Sequence, residues 1–177
     1  MSKDLNFLIN EAKSIGLVAH DAGGANILNS LVKEFKNINF KLLVKGPAEL
    51  IFDSENIKLF DDKSNFFDKV DFVLFGTGST PYEKKLLRYA KSKGITTAAI
   101  LDHFVNYKQR FIHDSNTSFP DYCFVCDDYS YQIAKKELVP YKNIYVCKNY
   151  LVESIKHELT ASNLLEKNKV LYVLENI

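Results

Sequence analysis

A histidine and an aspartate stand side by side at two places in the chain, and each pair directly follows a short apolar run. The first pair is His20 and Asp21, after Ile15–Ala19, and the second is Asp102 and His103. A histidine beside an aspartate can be tuned as a general base near neutral pH. We therefore predict His20, Asp21 and His103 as catalytic residues, and the sequence does not decide which histidine is the base.

Glycine-rich turns follow two of the apolar runs and predict a ligand held through the backbone. Gly23 and Gly24 come after the first run, and Gly76–Thr80 (GTGST) comes after Phe72–Phe75. Glycine permits a close approach of the backbone, and a helix N-terminus beyond it offers N–H groups to an anion. The spacing matches neither G-x-G-x-x-G nor a P-loop, which disfavours a nicotinamide dinucleotide or a P-loop nucleotide. The predicted ligand contacts in these turns are Gly23, Gly24, Asn26, Thr77, Gly78 and Ser79.

The segment from Leu101 to Pro120 is long for a connection in a compact domain, which favours a functional loop. Its Arg110 is one of two arginines among 23 basic residues. A guanidinium can hold a phosphate or a carboxylate through two hydrogen bonds, which lysine cannot do. We predict Asp102, Asn106 and Arg110 as ligand contacts. The alternative is a surface loop with an apolar cluster of its own, formed by Phe104, Tyr107 and Phe111.

Helix capping is the alternative explanation for the polar residues of the turns. Asp21 is placed to cap one helix, Ser79 or Thr80 a second, and Asp127 a third. Nothing in the spacing of the histidines and aspartates demands a metal ion, so we expect neither a metal nor another cofactor.

Three cysteines, an odd number, occur in a chain without the features of a secreted protein, so a disulfide framework is not expected. Cys123 and Cys126 form a C-x-x-C pattern, but they lie within a strand-like run. Residues three apart on a strand point to opposite faces of a sheet, which suits neither a redox pair nor half of a zinc site. We predict buried strand cysteines.

Apolar runs alternate with amphipathic ones along the chain, which is the pattern of parallel strands joined by helices. The runs are apolar throughout, as expected where helices cover both faces of a sheet. We therefore predict an α/β fold with a doubly wound, mostly parallel sheet of about seven strands, in which ligands bind beyond the carboxyl ends of the strands. The predicted strands are Ile15–Ala19, Phe40–Val44, Ile57–Phe60, Phe72–Phe75, Ile95–Leu101, Tyr122–Val125 and Ile144–Cys147. The predicted helices are Ala25–Phe35, Pro47–Phe52, Pro81–Lys93, Tyr129–Leu138 and Leu151–Leu159.

The composition argues against several classes of protein. The chain has 177 residues, 46% of them hydrophobic, and a formal net charge of +1. This balanced charge disfavours a nucleic-acid-binding protein, and no apolar run approaches the length of a transmembrane helix. Met1–Asn10 lacks the charged head and apolar core of a signal peptide. We expect a cytoplasmic protein whose partner is a small molecule.

The C-terminal part of the sequence predicts a domain boundary. Residues 1–160 form the α/β domain, residues 161–169 are polar and linker-like, and residues 170–177 begin with the strand pattern Val170–Leu174. This terminal strand either closes the edge of the sheet or opens a second domain. A second domain, or a second copy of the chain, is the macromolecular partner that we consider.

Taken in order, these motifs resemble the N-terminal, Rossmann-like half of GT-B glycosyltransferases and related proteins of bacterial surface-polysaccharide synthesis. The resemblance extends from Ile15 to Leu159. It rests on a strand that ends in a histidine and a Gly-rich turn, followed by the motifs GTGST, LDHFVNYKQRF, PDYCFVCDD and IYVCKN.

The resemblance implies a function in which two such halves face each other across a cleft. The second half usually grips the nucleotide of the donor sugar, while the first binds the acceptor, a sugar or sugar phosphate, and often supplies a histidine base. His20 matches the position of that histidine, and no metal is generally required. Two alternatives remain open. One is a free-standing binding domain for a phosphorylated or nucleotide small molecule, and the other is a small hydrolase or epimerase that acts on a sugar nucleotide.

Overall fold

A seven-stranded, fully parallel sheet forms the centre of the molecule. The computed structural model describes residues 4–52 and 56–161 of the chain. The sheet strands are β1 (Ile15–Ala19), β2 (Phe40–Val44), β3 (Ile57–Leu59), β4 (Phe72–Phe75), β5 (Thr96–Leu101), β8 (Tyr122–Val125) and β9 (Ile144–Val146). Their order across the sheet is β3-β2-β1-β4-β5-β8-β9, so the predicted α/β, Rossmann-like fold is confirmed.

The order of the strands reverses at β1, which lies between β2 and β4. Leu17 pairs with Leu42 of β2 on one side and with Leu74 of β4 on the other. The chain runs outward in one direction through β2 and β3, and in the other through β4 and the strands that follow. This arrangement leaves a crevice at the carboxyl ends of β1 and β4, which is where such sheets bind ligands.

Helices cover both faces of the sheet, which explains why β1 and β4, in its middle, are apolar and buried at every position. The helices are α1 (Leu5–Glu11), α2 (Ala22–Glu34), α3 (Lys63–Phe67), α4 (Pro81–Ser92), α5 (Asp128–Glu137) and α6 (Tyr150–Ala161). Buried side chains of α1, α2 and α6 share one core layer. Those of α3, α4 and α5 share the other. The sheet is therefore doubly wound, as predicted.

Helices α1 and α3 were not predicted from the sequence, because each is short and buries few side chains. Helix α1 has 7 residues, of which Leu5 and Ile9 are buried, and Asp4 caps it. Helix α3 has 5 residues and buries Phe66 and Phe67. Such short segments show too little periodicity to distinguish a helix from a loop.

Three further predictions are adjusted by the structure. The short helix expected at Pro47–Phe52 is a 3-10 helix over Gly46–Leu50. Helix α2 begins at Ala22, before the glycine pair that was expected to precede it. The segment 101–120 is not an unstructured loop, because it contains a 3-10 turn at Gln109–Phe111 and a hairpin of β6 (Ile112–His113) and β7 (Asn116–Thr117).

The apolar cluster expected within segment 101–120 forms only in part. Tyr107 and Phe111 are buried in the core layer of α3, α4 and α5, whereas Phe104 is 50% exposed. The predicted linker and terminal strand lie outside the described residues, except that Ala161 ends α6. Among the described residues, no helix is long and apolar enough to cross a membrane.

Candidate functional site

The first turn of α2 touches the turn after β4 at the carboxyl edge of the sheet. A Cβ added to Gly24 would lie 2.9 Å from the Cα of Gly76, so a side chain at Gly24 would collide with backbone that cannot yield. Gly24 is buried at this contact. Gly24, which the sequence predicts as a ligand contact, therefore has a structural role, because it lets α2 and the turn after β4 come into contact.

His20 and Asp21 form a hydrogen-bonded pair at the end of β1. The Nδ1 atom of His20 lies 2.7 Å from Oδ1 of Asp21. An ionised carboxylate only accepts hydrogen bonds, so Nδ1 carries the proton in this pair. In the neutral ring, Nε2 is then the proton acceptor, which is the arrangement of an oriented general base.

Asp21 is itself held by the turn after β4. Its Oδ2 atom accepts the backbone N–H of Ser79 at 2.8 Å and the Ser79 hydroxyl at 3.2 Å. Asp21 occupies the N-cap position of α2, yet its side chain makes no capping hydrogen bond. Asp21 therefore stands at the expected N-cap position, but its carboxylate reaches across the crevice instead of capping the helix.

These hydrogen bonds determine the charge of Asp21. Burial alone would raise the pKa of Asp21, but hydrogen bonds from His20 and Ser79 outweigh this effect, and the pKa lies below its ordinary value. The carboxylate is thus ionised at neutral pH. It can stabilise a positive charge on His20 when the ring takes up a proton.

The ring of His20 packs between Gly46 and Tyr82. A Cβ on Gly46 would lie 2.8 Å from Nε2 of His20, and Gly46 has a φ of +62°, which disfavours any other residue. The Tyr82 ring centroid is 5.8 Å from the imidazole centroid. The His20 side chain is 25% exposed, so its ring is confined but open to solvent.

Glu83 is a site residue that the sequence analysis missed. Its Oε1 atom accepts the backbone N–H of His20 at 2.9 Å, although only 5% of the residue is exposed. Burial, together with the nearby charge of Asp21, raises the pKa of Glu83 above its ordinary value. The available signal was the spacing Thr80-x-x-Glu83, which is that of a capping box. A capping box keeps Glu83 at the start of its own helix, where Oε2 does accept the Thr80 hydroxyl at 3.4 Å. Oε1, however, reaches His20 directly after β1.

Gly78 separates the two carboxylates. A Cβ at this position would lie 2.6 Å from Oδ2 of Asp21 and 3.0 Å from Oε1 of Glu83. The absence of a side chain at Gly78 therefore lets both acids approach the same turn. Thr80, not Ser79, caps α4, because its hydroxyl accepts the backbone N–H of Tyr82 at 3.4 Å.

Arg110 is held in the site by an ion pair and by hydrogen bonds to other residues of the chain. Its Nη1 atom lies 2.5 Å from Oδ1 of Asp102 and donates to the Thr77 carbonyl at 2.6 Å and the Thr77 hydroxyl at 2.9 Å. The Nε atom donates to the Val105 carbonyl at 3.3 Å. In the described part of the chain Nη2 has no such partner, so this nitrogen is the one available to an anion. Asp102 in turn lies against Gly23, where an added Cβ would collide with its Oδ2 atom.

A cleft of about 440 Å³ opens between the turn after β4 and the segment after β5. Its volume is within the range of small-molecule sites. Two cationic side chains, Lys84 and Arg110, face two acidic ones, Asp21 and Asp102, in its wall. We call it the carboxyl-edge cleft, and its lining residues are Asp21, Thr77, Gly78, Ser79, Lys84, Asp102, Asn106, Gln109 and Arg110.

The predicted site residues are thus partly brought together. Asp21, Thr77, Gly78, Ser79, Asp102, Asn106 and Arg110 line the cleft. His20 reaches it only through Asp21. His103 is exposed, and its ring lies tilted against that of Phe104 with 4.7 Å between the ring centroids. It is not among the residues that line the cleft. Asn26 is exposed on α2.

Metal ligation has no support in the geometry. Among residues 4–52 and 56–161, no three His, Cys, Asp or Glu side chains gather where they could hold a metal ion. The site is instead a set of hydrogen-bonded acids, one histidine and two cations around a polar cleft.

The class of this protein rests on its fold. No protein-family profile, no curated protein sequence and no solved structure matches the chain. The molecule is an α/β protein with a Rossmann-like parallel sheet and a polar cleft at the carboxyl edge of that sheet. The resemblance to GT-B glycosyltransferases is compatible with this fold and stays a prediction.

Proposed function

We propose that this chain is the acceptor-side domain of a glycosyltransferase-like enzyme in bacterial surface-polysaccharide synthesis, with His20 as the general base. The observation that carries the proposal is the pairing of His20 Nδ1 with Asp21, which leaves Nε2 as the proton acceptor at the end of β1. Asp21 connects this histidine to the carboxyl-edge cleft, because the same carboxylate lines the cleft and holds the ring.

In this mechanism His20 removes one proton from a hydroxyl group of the acceptor. An acceptor hydroxyl attacks the anomeric carbon of the donor sugar, and the bond from that carbon to the leaving phosphate oxygen breaks. The hydroxyl proton passes to Nε2, and the ionised Asp21 stabilises the imidazolium that forms. A positioned base of this kind contributes about 100-fold to 10,000-fold in rate. The donor nucleotide is held by a second domain under this proposal.

The test is sugar transfer by the natural polypeptide that contains this chain, assayed with a panel of nucleotide sugars. His20→Gln should lower kcat by roughly 100-fold or more and leave folding intact. His103→Gln separates the two candidate bases, and His157→Gln is the matched control because His157 is exposed on α6. Unchanged turnover in His20→Gln would remove His20 from the mechanism.

A second candidate function is binding of a phosphorylated small molecule without reaction. The specific observation is that the two cationic residues Lys84 and Arg110 line the carboxyl-edge cleft. This candidate predicts saturable binding of glucose 1-phosphate to the chain by calorimetry and weaker binding to Arg110→Lys, since lysine cannot hold Asp102 and an anion together. Binding without product formation, combined with a neutral His20→Gln substitution, would favour it over sugar transfer.

A further inference from the structure

Cys126 and Cys147 lie side by side at the carboxyl ends of the neighbouring strands β8 and β9. Val125 pairs in register with Val146, and the backbone N–H of Cys147 donates to the Val125 carbonyl at 2.8 Å. The ladder thus continues to the next pair, which is Cys126 and Cys147. Residues at the same level on parallel strands point to the same side of the sheet.

Packing confirms that the two side chains share one face. Cys147 belongs to the core layer of α1, α2 and α6, and Cys126 packs against that same layer. Cys123 belongs to the opposite layer, with α3, α4 and α5. The C-x-x-C pattern of the sequence therefore separates Cys123 from Cys126, while the sheet brings Cys126 to Cys147.

The two thiols also interact chemically. A hydrogen bond from the Cys147 thiol lowers the pKa of Cys126, and this effect outweighs burial and the nearby carboxylates of Asp127 and Asp102, which act in the opposite direction. The same hydrogen bond, followed by burial, raises the pKa of Cys147. Cys126 is half-buried and reachable from solvent, whereas Cys147 is buried. One thiol of the pair is thus activated and the other is sheltered beside it.

We infer that Cys126 and Cys147 are a redox-active pair that closes to an intramolecular disulfide when the protein meets a hydroperoxide. The Cys126 thiolate attacks the peroxide O–O bond, which gives a sulfenic acid on Cys126 and, after protonation, releases one molecule of water from hydrogen peroxide. The Cys147 sulfur then attacks the Cys126 sulfur. The S–S bond forms, and the sulfenic hydroxyl leaves with the Cys147 proton as a second water, so two thiols are oxidised and one peroxide is reduced.

This inference does not rest on sugar transfer. The bond would join the carboxyl ends of β8 and β9 directly before α5 and α6. Cys126 is followed by Asp127, whose carboxylate accepts the Ser130 N–H and caps α5. A thiol-containing reductant would reopen the bond by exchange through a mixed disulfide.

The three cysteines of the chain allow a complete test by thiol counting. The folded chain is treated with equimolar hydrogen peroxide, denatured, and titrated with a chromogenic disulfide reagent. The wild-type count should fall from three thiols to one. Cys123→Ala is the matched control, and its count should fall from two to none. Cys126→Ser and Cys147→Ser should each fail to form the intramolecular bond.

Peptide mapping of the oxidised wild-type chain identifies the bridge directly, so the test does not depend on the folding of any variant. A Cys126–Cys147 cross-linked peptide that dithiothreitol removes supports the inference. An unchanged thiol count, a bridge that includes Cys123, or disulfide-linked dimers on a non-reducing gel without the intramolecular bond would overturn it.

Discussion

The carboxylate of Asp21 accepts the backbone N–H of Ser79 at 2.8 Å, although the two residues belong to turns that follow different strands. The same carboxylate holds Nδ1 of His20 at 2.7 Å. Asp21 therefore links the turn after β1 to the turn after β4 and orients the candidate base at once. It stands at the N-cap of α2 without capping it.

We expect Asp21→Asn to destabilise the protein by about 1–3 kcal/mol at pH 7, since hydrogen bonds to a charged acceptor are lost. The pKa of Asp21 is lowered in the folded chain, so its stabilising effect is present above the ordinary value of 3.8 and is lost as the pH falls through the folded value. Urea unfolding from pH 3 to 7 should show the wild-type and variant curves converging at low pH. Asp61→Asn, at an exposed position, is the control and should change little.

Glu83→Gln should show the opposite dependence on pH. The folded pKa of Glu83 is raised above 4.5, so its contribution to stability is fully present below that value and is lost as the pH rises through the folded value. Glutamine can still accept the His20 N–H. The stability of the wild type relative to Glu83→Gln should therefore fall between pH 4 and pH 7. If the difference in the free energy of unfolding stayed constant with pH, or grew in favour of the wild type, the raised pKa of Glu83 would be contradicted. Glu158→Gln, at an exposed position, is the control.

Gly78→Ala should disrupt the site without straining the backbone. The added Cβ would lie 2.6 Å from Oδ2 of Asp21 and 3.0 Å from Oε1 of Glu83, so both carboxylates must move. We expect a loss of about 1–3 kcal/mol, typical of overpacking, and a shift of the His20 ring signals in the NMR spectrum.

Gly94→Ala is the control variant for Gly78→Ala. Gly94 has a φ of +71° and nothing within 4 Å of an added Cβ, so only the left-handed backbone is penalised. A loss of about 1–2 kcal/mol is expected, with the His20 signals unchanged. If both alanine variants moved those signals equally, the steric role of Gly78 would be disproved.

Thr80→Ala should cost about 1 kcal/mol of stability, because the threonine hydroxyl caps α4 through the Tyr82 N–H. Thr80→Ser keeps the hydroxyl and should restore most of the loss in chemical denaturation. Ser79→Ala should affect the helix less, since the Ser79 hydroxyl bonds Asp21 and not the helix. Unchanged stability in Thr80→Ala would show that the threonine hydroxyl does not stabilise α4.

The strands, and the carboxyl edge of the sheet at which polar residues collect, could be predicted from the sequence. The predicted ranges of β1, β2, β4 and β8 agree with the structure residue for residue. A strand whose two faces are both covered is predominantly apolar, and that pattern is local. Because parallel strands place their carboxyl ends together, the clustering of Asp21, Thr77 and Asp102 at one edge was also predictable.

The tertiary structure decided which side chains of the site contact each other. The spacing of Glu83 indicates a bond to Thr80, which its Oε2 atom makes, but it does not indicate that Oε1 binds the backbone of His20. Arg110 suggests a free anion ligand, yet it is paired with Asp102. Cys126 has Cys123 as its neighbour in sequence and Cys147 as its neighbour in space.

These differences have one physical cause. Sequence periodicity reports which side of an element is buried, because burial depends on the direction in which each side chain leaves the backbone. A hydrogen bond or an ion pair depends on distances of about 3 Å between atoms, and these are set by how strands and turns from distant parts of the chain pack. The amino-acid sequence by itself thus determined the sheet and the edge where polar groups collect, and only the packing of that edge decided which groups act together.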